Sequence, residues 1–194
     1  TVGRISRASD RVAVFFGDIH GMAYALDAST GAVIWKMQTD PHPLARITGA
    51  PTLYHGRLYV PVTGYEEAVA ANPKYECCTF QGSVVAYDAS TGAKIWRASV
   101  IPQPVARTTK TSAGTQLWGP AGASVWSAPT IDERTNSLYV ATGDAFTAPA
   151  APTSISAAVA ASAASILLVL SPMAARTRRD ADSCGVRPAR RTGP

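Results

Sequence analysis

A fifteen-residue pattern occurs twice in this chain, and it limits the fold more than any other feature. Gly21–Trp35 reads GMAYALDASTGAVIW and Gly82–Trp96 reads GSVVAYDASTGAKIW. Asp27 maps onto Asp88 and Trp35 onto Trp96 by one shift of 61 residues. A second pattern accompanies it. Ala50-Pro51-Thr52, a turn and Leu58-Tyr59-Val60 match Ala128-Pro129-Thr130, a turn and Leu138-Tyr139-Val140. Self-similarity at such a period marks a stacked array of supersecondary units, none of which buries its apolar face alone.

The units are sheets. VAVFFG, GRLYVPV and NSLYVATG are short apolar or alternating runs that end in or near Gly, which is strand patterning, and Val84 to Tyr87 is another strand. Asp-Ala-Ser-Thr-Gly is a hairpin turn: side-chain oxygens of Asp and Thr bond the turn's own amides, and Gly supplies the positive φ. The Trp that follows is too large to leave in water, and its place in a radial array is the seam between neighbouring sheets. The expected fold is therefore all-β, a partial β-propeller of about two and a half four-stranded blades. Residues 11–40 are read as the last two strands of one blade. Residues 47–100 are read as a full blade with an insertion from Tyr65 to Thr79, and residues 125–144 as the opening of a third.

Composition divides the chain at the same place. All Trp, Tyr and Phe residues lie before Ala148, and the stretch from Pro149 to Pro194 is dominated by Ala, Ser, Pro and Arg. The expected organisation is a propeller sector at 1–148 and a low-complexity tail at 149–194. Most of the formal +5 charge sits on tail arginines, so the near-neutral body gives no footprint for nucleic acid. The apolar core of the tail, AAVAASAASILLVLSPMAA, is about as long as a membrane span. It falls mid-blade, where the closing strands belong, so a membrane anchor is disfavoured. An out-of-frame translation of GC-rich DNA accounts for it more simply, with a helix near 155–172 as a further expectation. No signal peptide opens the chain.

The Ala-x-Asp-x-x-Thr-Gly-x-x-x-Trp pattern resembles the tryptophan-docking repeat of the pyrroloquinoline quinone (PQQ) propeller superfamily, whose members are typically eight-bladed. Within it, PKYECCTFQGSVVAYDASTG, GTQLWGPAGASVWSAPTID and LYVATGD are similar to the polyvinyl-alcohol dehydrogenase branch. The resemblance implies a periplasmic quinoprotein dehydrogenase with PQQ on the propeller axis and a Ca²⁺ ion beside it. It implies an alcohol or polymer substrate, a cytochrome as electron acceptor, and haem c as a candidate further cofactor of the full-length parent.

The resemblance also assigns residues. Trp126 matches the ring that stacks on the quinone; Trp118 reads as a loop or rim residue. Cys77 and Cys78 match the vicinal disulfide that packs against PQQ in many alcohol dehydrogenases, although they lie in a different blade. Glu66 and Glu67 fall in the loop that supplies a carboxylate to Ca²⁺, and Asp144 stands where the relatives carry an Asn ligand. Arg46 is a candidate fork for a cofactor carboxylate. No catalytic residue is identifiable, and His20, His42 and His55, all at turns, receive no role. The competing reading is a non-catalytic propeller used as a protein-assembly scaffold. A scaffold has no reason to gather Trp126, the acids and the cysteine pair on one face.

Overall fold

The computed structural model describes residues 1–146 and 167–170. The first blade is a four-stranded antiparallel sheet in sequence order, β1 (Val2–Arg4), β2 (Val12–Gly17), β3 (Met22–Asp27) and β4 (Val33–Gln38). This corrects the reading of residues 11–40 as two closing strands. Those residues hold three, and Val2–Arg4 pairs with β2 in the register Val2↔Val14. Three residues are too short to show an alternating pattern, which hid β1 from sequence reasoning.

The second blade is built from β6 (Thr52–Tyr54), β7 (Arg57–Gly64), β8 (Ser83–Asp88) and β9 (Lys94–Ser99). A two-residue strand, β5 (Ala45–Arg46), also pairs with the far end of β7. The expected insertion separates β7 from β8 and contains one helical turn, α1 (Glu66–Val69). Between the second and third blades lies a hairpin, β10 (Ala106–Lys110) and β11 (Gln116–Gly119). A short strand β12 (Ala121–Gly122) follows. The third blade opens with β13 (Thr130–Asp132) and β14 (Ser137–Ala141), and β15 (Ala145–Phe146) returns to pair with β12.

The third sheet gains one more strand from the tail. β16 (Leu167–Leu170) pairs antiparallel with β14, Leu138 opposite Leu170. The expected helix near 155–172 is therefore not present at Leu167–Leu170, which are extended. Among the described residues no helix is long and apolar enough to cross a membrane. The remaining tail calls, including the out-of-frame origin, lie outside the described residues.

The repeat does what its spacing predicts. In the first turn, Asp27 Oδ1 accepts from the Ser29 and Thr30 amides at 3.0 and 3.1 Å; in the second, Asp88 Oδ1 accepts from Ser90 and Thr91 at 3.0 and 2.9 Å. Gly31 and Gly92 take φ of 71° and 73°. Trp35, only 6% exposed, then reaches across the seam. Its Nε1–H donates to the Ala89 carbonyl at 2.9 Å, and a Cβ on Gly92 would lie 2.8 Å from its ring. Phe15, Tyr87, Val60 and Val85 fill the rest of that seam. Trp96 packs with Tyr59 in the next seam, against Ile131, Leu138 and Val140 of the third blade.

Candidate functional site

One cavity of about 130 Å³ opens where β7, the insertion and the third blade meet. It is lined by Gly64, Glu66, Glu67, Phe80, Gly122, Ser124, Trp126, Gly143 and Asp144. Four of the residues singled out in the sequence therefore converge: Trp126, Glu66, Glu67 and Asp144. Cys77, Cys78 and Arg46 are not among its lining residues.

Backbone bonds build the wall. The Val125 amide donates to Val62 O at 3.2 Å, which lays this segment along the inner end of β7. Ser124 joins the two neighbouring elements: its Oγ accepts from the Gly64 amide at 3.1 Å, and its carbonyl accepts from the Gly143 amide at 2.8 Å. Trp126 follows on this clamped segment, yet is 55% exposed. Its indole lies against Gly143, where a Cβ would fall into the ring, 2.7 Å from Cζ3. A large indole presented to solvent over a residue without a side chain is a platform for a flat ligand rather than a core anchor.

The acids differ from one another. Glu66 is buried, and both oxygens are taken. Tyr75 O–H donates to Oε1 at 3.0 Å, the Thr79 amide lies 2.8 Å from both oxygens, and the Phe80 amide donates to Oε2 at 2.6 Å. Burial pushes this carboxyl upward, but His42 at 3.7 Å together with the Phe80, Thr79 and Tyr75 donors outweighs it and holds the pKa below its ordinary value. Burial and the same contact push the Tyr75 hydroxyl up to about 12. His42, given no role from its turn position, also sits 3.0 Å from Thr79 Oγ1. Nothing in the sequence signals this grouping, because the insertion carries Thr79 back to Glu66 only in three dimensions. Glu67 is exposed and Asp144 half-buried, and both line the cavity.

The remaining candidates lie off the cavity. Arg46 folds back on its own loop, donating to Ala45 O at 2.9 Å and Pro43 O at 3.3 Å, with its guanidinium 5.8 Å from the Tyr65 ring. Cys77 and Cys78 form a vicinal disulfide, buried against Ala121, Ala70 and Tyr75.

The arrangement can be tested against a planar quinone and a hard cation. The open face of Trp126, with Gly143 behind it, fits a flat aromatic group. Glu67 and Asp144 are oxygen donors of the kind Ca²⁺ prefers, though six to eight such ligands are its usual complement. Among the described residues no group of three His, Cys, Asp or Glu side chains is placed to hold a metal. The cavity is also below the roughly 300 Å³ at which sites for cofactor-sized ligands begin. The described residues therefore line a small cavity with one open aromatic face and do not enclose a cofactor-sized volume.

Comparison with known proteins bears on the fold and the family. The profile of the PQQ family described as "Glucose/ethanol/alcohol dehydrogenase, beta-propeller domain" matches residues 44–149, and the chain belongs to this family of quinoprotein oxidoreductases. Within it, the chain is 43% identical over 140 residues to a polyvinylalcohol dehydrogenase from Pseudomonas sp and 40% identical to one from Sphingopyxis sp. (strain 113P3). These alignments cover 72% of this chain but only 22% and 21% of those proteins. The chain thus spans about a fifth of their length. Among solved structures, a quinohemoprotein alcohol dehydrogenase from Pseudomonas putida HK5 superposes with a TM-score of 0.50 at 25% identity, covering 69% of this chain and 20% of that one.

Proposed function

We propose that this chain is a sector of a periplasmic PQQ-dependent dehydrogenase that oxidises an alcohol or polyol, polyvinyl alcohol among them, and passes electrons to a cytochrome. The observation that carries the reading is the exposed Trp126 indole, laid on Gly143 in the same cavity as Glu67 and Asp144. A bound PQQ would supply the hydride acceptor for the alcohol. The chain's own residues have narrower tasks. Trp126 supports one face of the ring system and excludes water from it. Glu67 and Asp144 present carboxylate oxygens to a Ca²⁺ ion. Glu66 has no free oxygen in this arrangement and acts as a fixed negative charge that ties the insertion to the cavity floor. Neither the proton acceptor for the substrate hydroxyl nor the opposite wall is supplied by these residues.

The scaffold alternative accounts for the seams but not for an indole held open beside two unpaired acids. The test is PQQ titration of the full-length protein, read as quenching of Trp fluorescence, with Trp126→Ala beside the unaltered protein. Stacking on an indole is worth about 1–3 kcal/mol, so affinity falls about 5- to 150-fold in the variant. Equal affinity in both proteins would remove Trp126 from the cofactor site, and no binding to either would favour the scaffold.

A further inference from the structure

The family resemblance would place Cys77–Cys78 against the cofactor; neither cysteine lines the cavity, and the pair packs on neighbours of its own. Both residues are almost fully buried, packed on Ala121 with Ala70 and Tyr75 beside them. Their backbones are zipped to β11: the Cys78 amide donates to Trp118 O at 3.2 Å and the Trp118 amide to Cys77 O at 2.6 Å. The zip continues toward the cavity. The Gly122 amide donates to Phe80 O at 2.8 Å and the Gly82 amide to Gly122 O at 2.8 Å. The outer rim is fastened in the same sense, with Thr115 Oγ1 donating to Pro73 O at 2.9 Å.

The placement in sequence matters as much. Glu66 is gripped by Tyr75 on one side of the disulfide and by Thr79 and Phe80 on the other. The two cysteines form the span between its donors. Closing adjacent residues into an eight-membered ring removes torsional freedom from that span, and it does so where the span is pinned to β11.

We propose that the Cys77–Cys78 disulfide is a positioning device for the cavity wall: it holds the Tyr75 hydroxyl and the Thr79 and Phe80 amides in register on Glu66 and clamps the 65–82 insertion to the 118–122 segment, without touching the cofactor. This deepens the reading of the cavity as a quinone site and rests on it for its consequence, namely that loosening the clamp moves Gly122 and Phe80, which line the cavity.

The test is residue-resolved amide hydrogen exchange on the cofactor-free, full-length protein. In a Cys77→Ser/Cys78→Ser variant, exchange at Cys78 (now Ser), Thr79, Phe80 and Trp118 rises at least about tenfold, while Phe15 and Ala25 in the first blade are unchanged, as expected of a local opening. Glu66→Gln, with the disulfide intact, raises exchange at Thr79 and Phe80 but leaves the Cys78 amide protected. Should the double variant fail to fold, unaltered protein reduced with dithiothreitol is measured instead. One dithiothreitol closes to its cyclic disulfide and delivers two electrons and two protons, leaving two thiols, and reoxidation restores protection. PQQ quenching of Trp126 then weakens by about 3- to 10-fold in the double variant, a population-shift effect of a looser wall. Unchanged protection at Thr79 and Phe80, with the loss confined to PQQ affinity, overturns the proposal and returns the pair to the cofactor. Failure of PQQ to bind the unaltered protein refutes the quinone reading, yet leaves the exchange result to decide the clamp.

Discussion

Trp35→Ala is the substitution whose effect the structure specifies best. The indole is 6% exposed, touches Phe15, Tyr87 and the backbone of Gly92, and donates to Ala89 O at 2.9 Å. Removing a buried Trp side chain costs about 3–5 kcal/mol when the site cannot collapse. Collapse is hindered here because the two walls are separate sheets, each held by its own ladder. The damage should be local to the seam, so the assay is amide exchange in the Asp88–Gly92 turn of the full-length protein. At about 1.4 kcal/mol per tenfold, opening of that turn becomes roughly 150- to 5,000-fold more frequent. Trp35→Phe keeps most of the ring contact and loses the N–H···O bond, a loss of about 0.5–1.5 kcal/mol beyond the volume change. It should fall well short of the alanine effect. If the alanine variant left the Asp88–Gly92 amides as protected as before, Trp35 would not be locking the two blades together, and the propeller reading would lose its mechanical basis.

The remaining predictions concern the same seams. Asp88 is partly buried, which raises its carboxyl, but bonds from Ser90 and Thr91 outweigh this and hold it below the ordinary 3.8. Its contribution is thus present above the unfolded pKa and is lost as pH falls through the lower folded value. Protection in the 88–92 turn, taken relative to the intrinsic exchange rate at each pH, should therefore fall below about pH 4, and an Asp88→Asn variant should show much less of that dependence. Asp88→Ala should weaken the turn by about 1–2 kcal/mol by analogy with lost side-chain caps, read from the same amides. The isolated 194-residue polypeptide should aggregate and show no PQQ-dependent dye reduction, because blade edges and seam faces stay open; a monomer with a sharp unfolding transition by light scattering and circular dichroism would refute this.

What the sequence disclosed follows from where each determinant lies along the chain. The docking seam was legible because both partners, the Asp-x-x-Thr-Gly turn and the Trp, fall within one short repeat whose copies can be compared. Trp126 and Asp144 were singled out through resemblance, and the fold brings them to one cavity, which leaves their roles to the binding test. Strand β10 was not, since all five of its residues are exposed and carry no apolar period. The state of Glu66 was equally hidden. A carboxylate in a loop after a strand has the same local sequence whether it faces an ion or accepts two backbone amides, and those amides arrive from 13 and 14 residues downstream. The cysteine pair shows the limit from the other side: a disulfide was open from the sequence, and Trp118 and Ala121, which meet the pair, come from β11 and β12, about forty residues later.

The incompleteness of the site and that of the ring have one cause. Trp35 finds its carbonyl in the turn of the next blade, whereas Trp96 packs against an apolar cluster that includes Leu138 and Val140 of the third blade. Among the described residues no acceptor for the Trp96 indole and no third Asp-x-x-Thr-Gly turn is present. In this chain the position beside β14, where the first two blades have the strand leading into that turn, is taken by Leu167–Leu170. A strand there satisfies the backbone of β14, which an open edge would not. It does not carry the sequence that receives an indole. The sheet can therefore be completed by any extended segment, but the seam cannot. Among the described residues, Trp126, Glu67 and Asp144 thus line an open cavity beside a seam that lacks its second tryptophan acceptor.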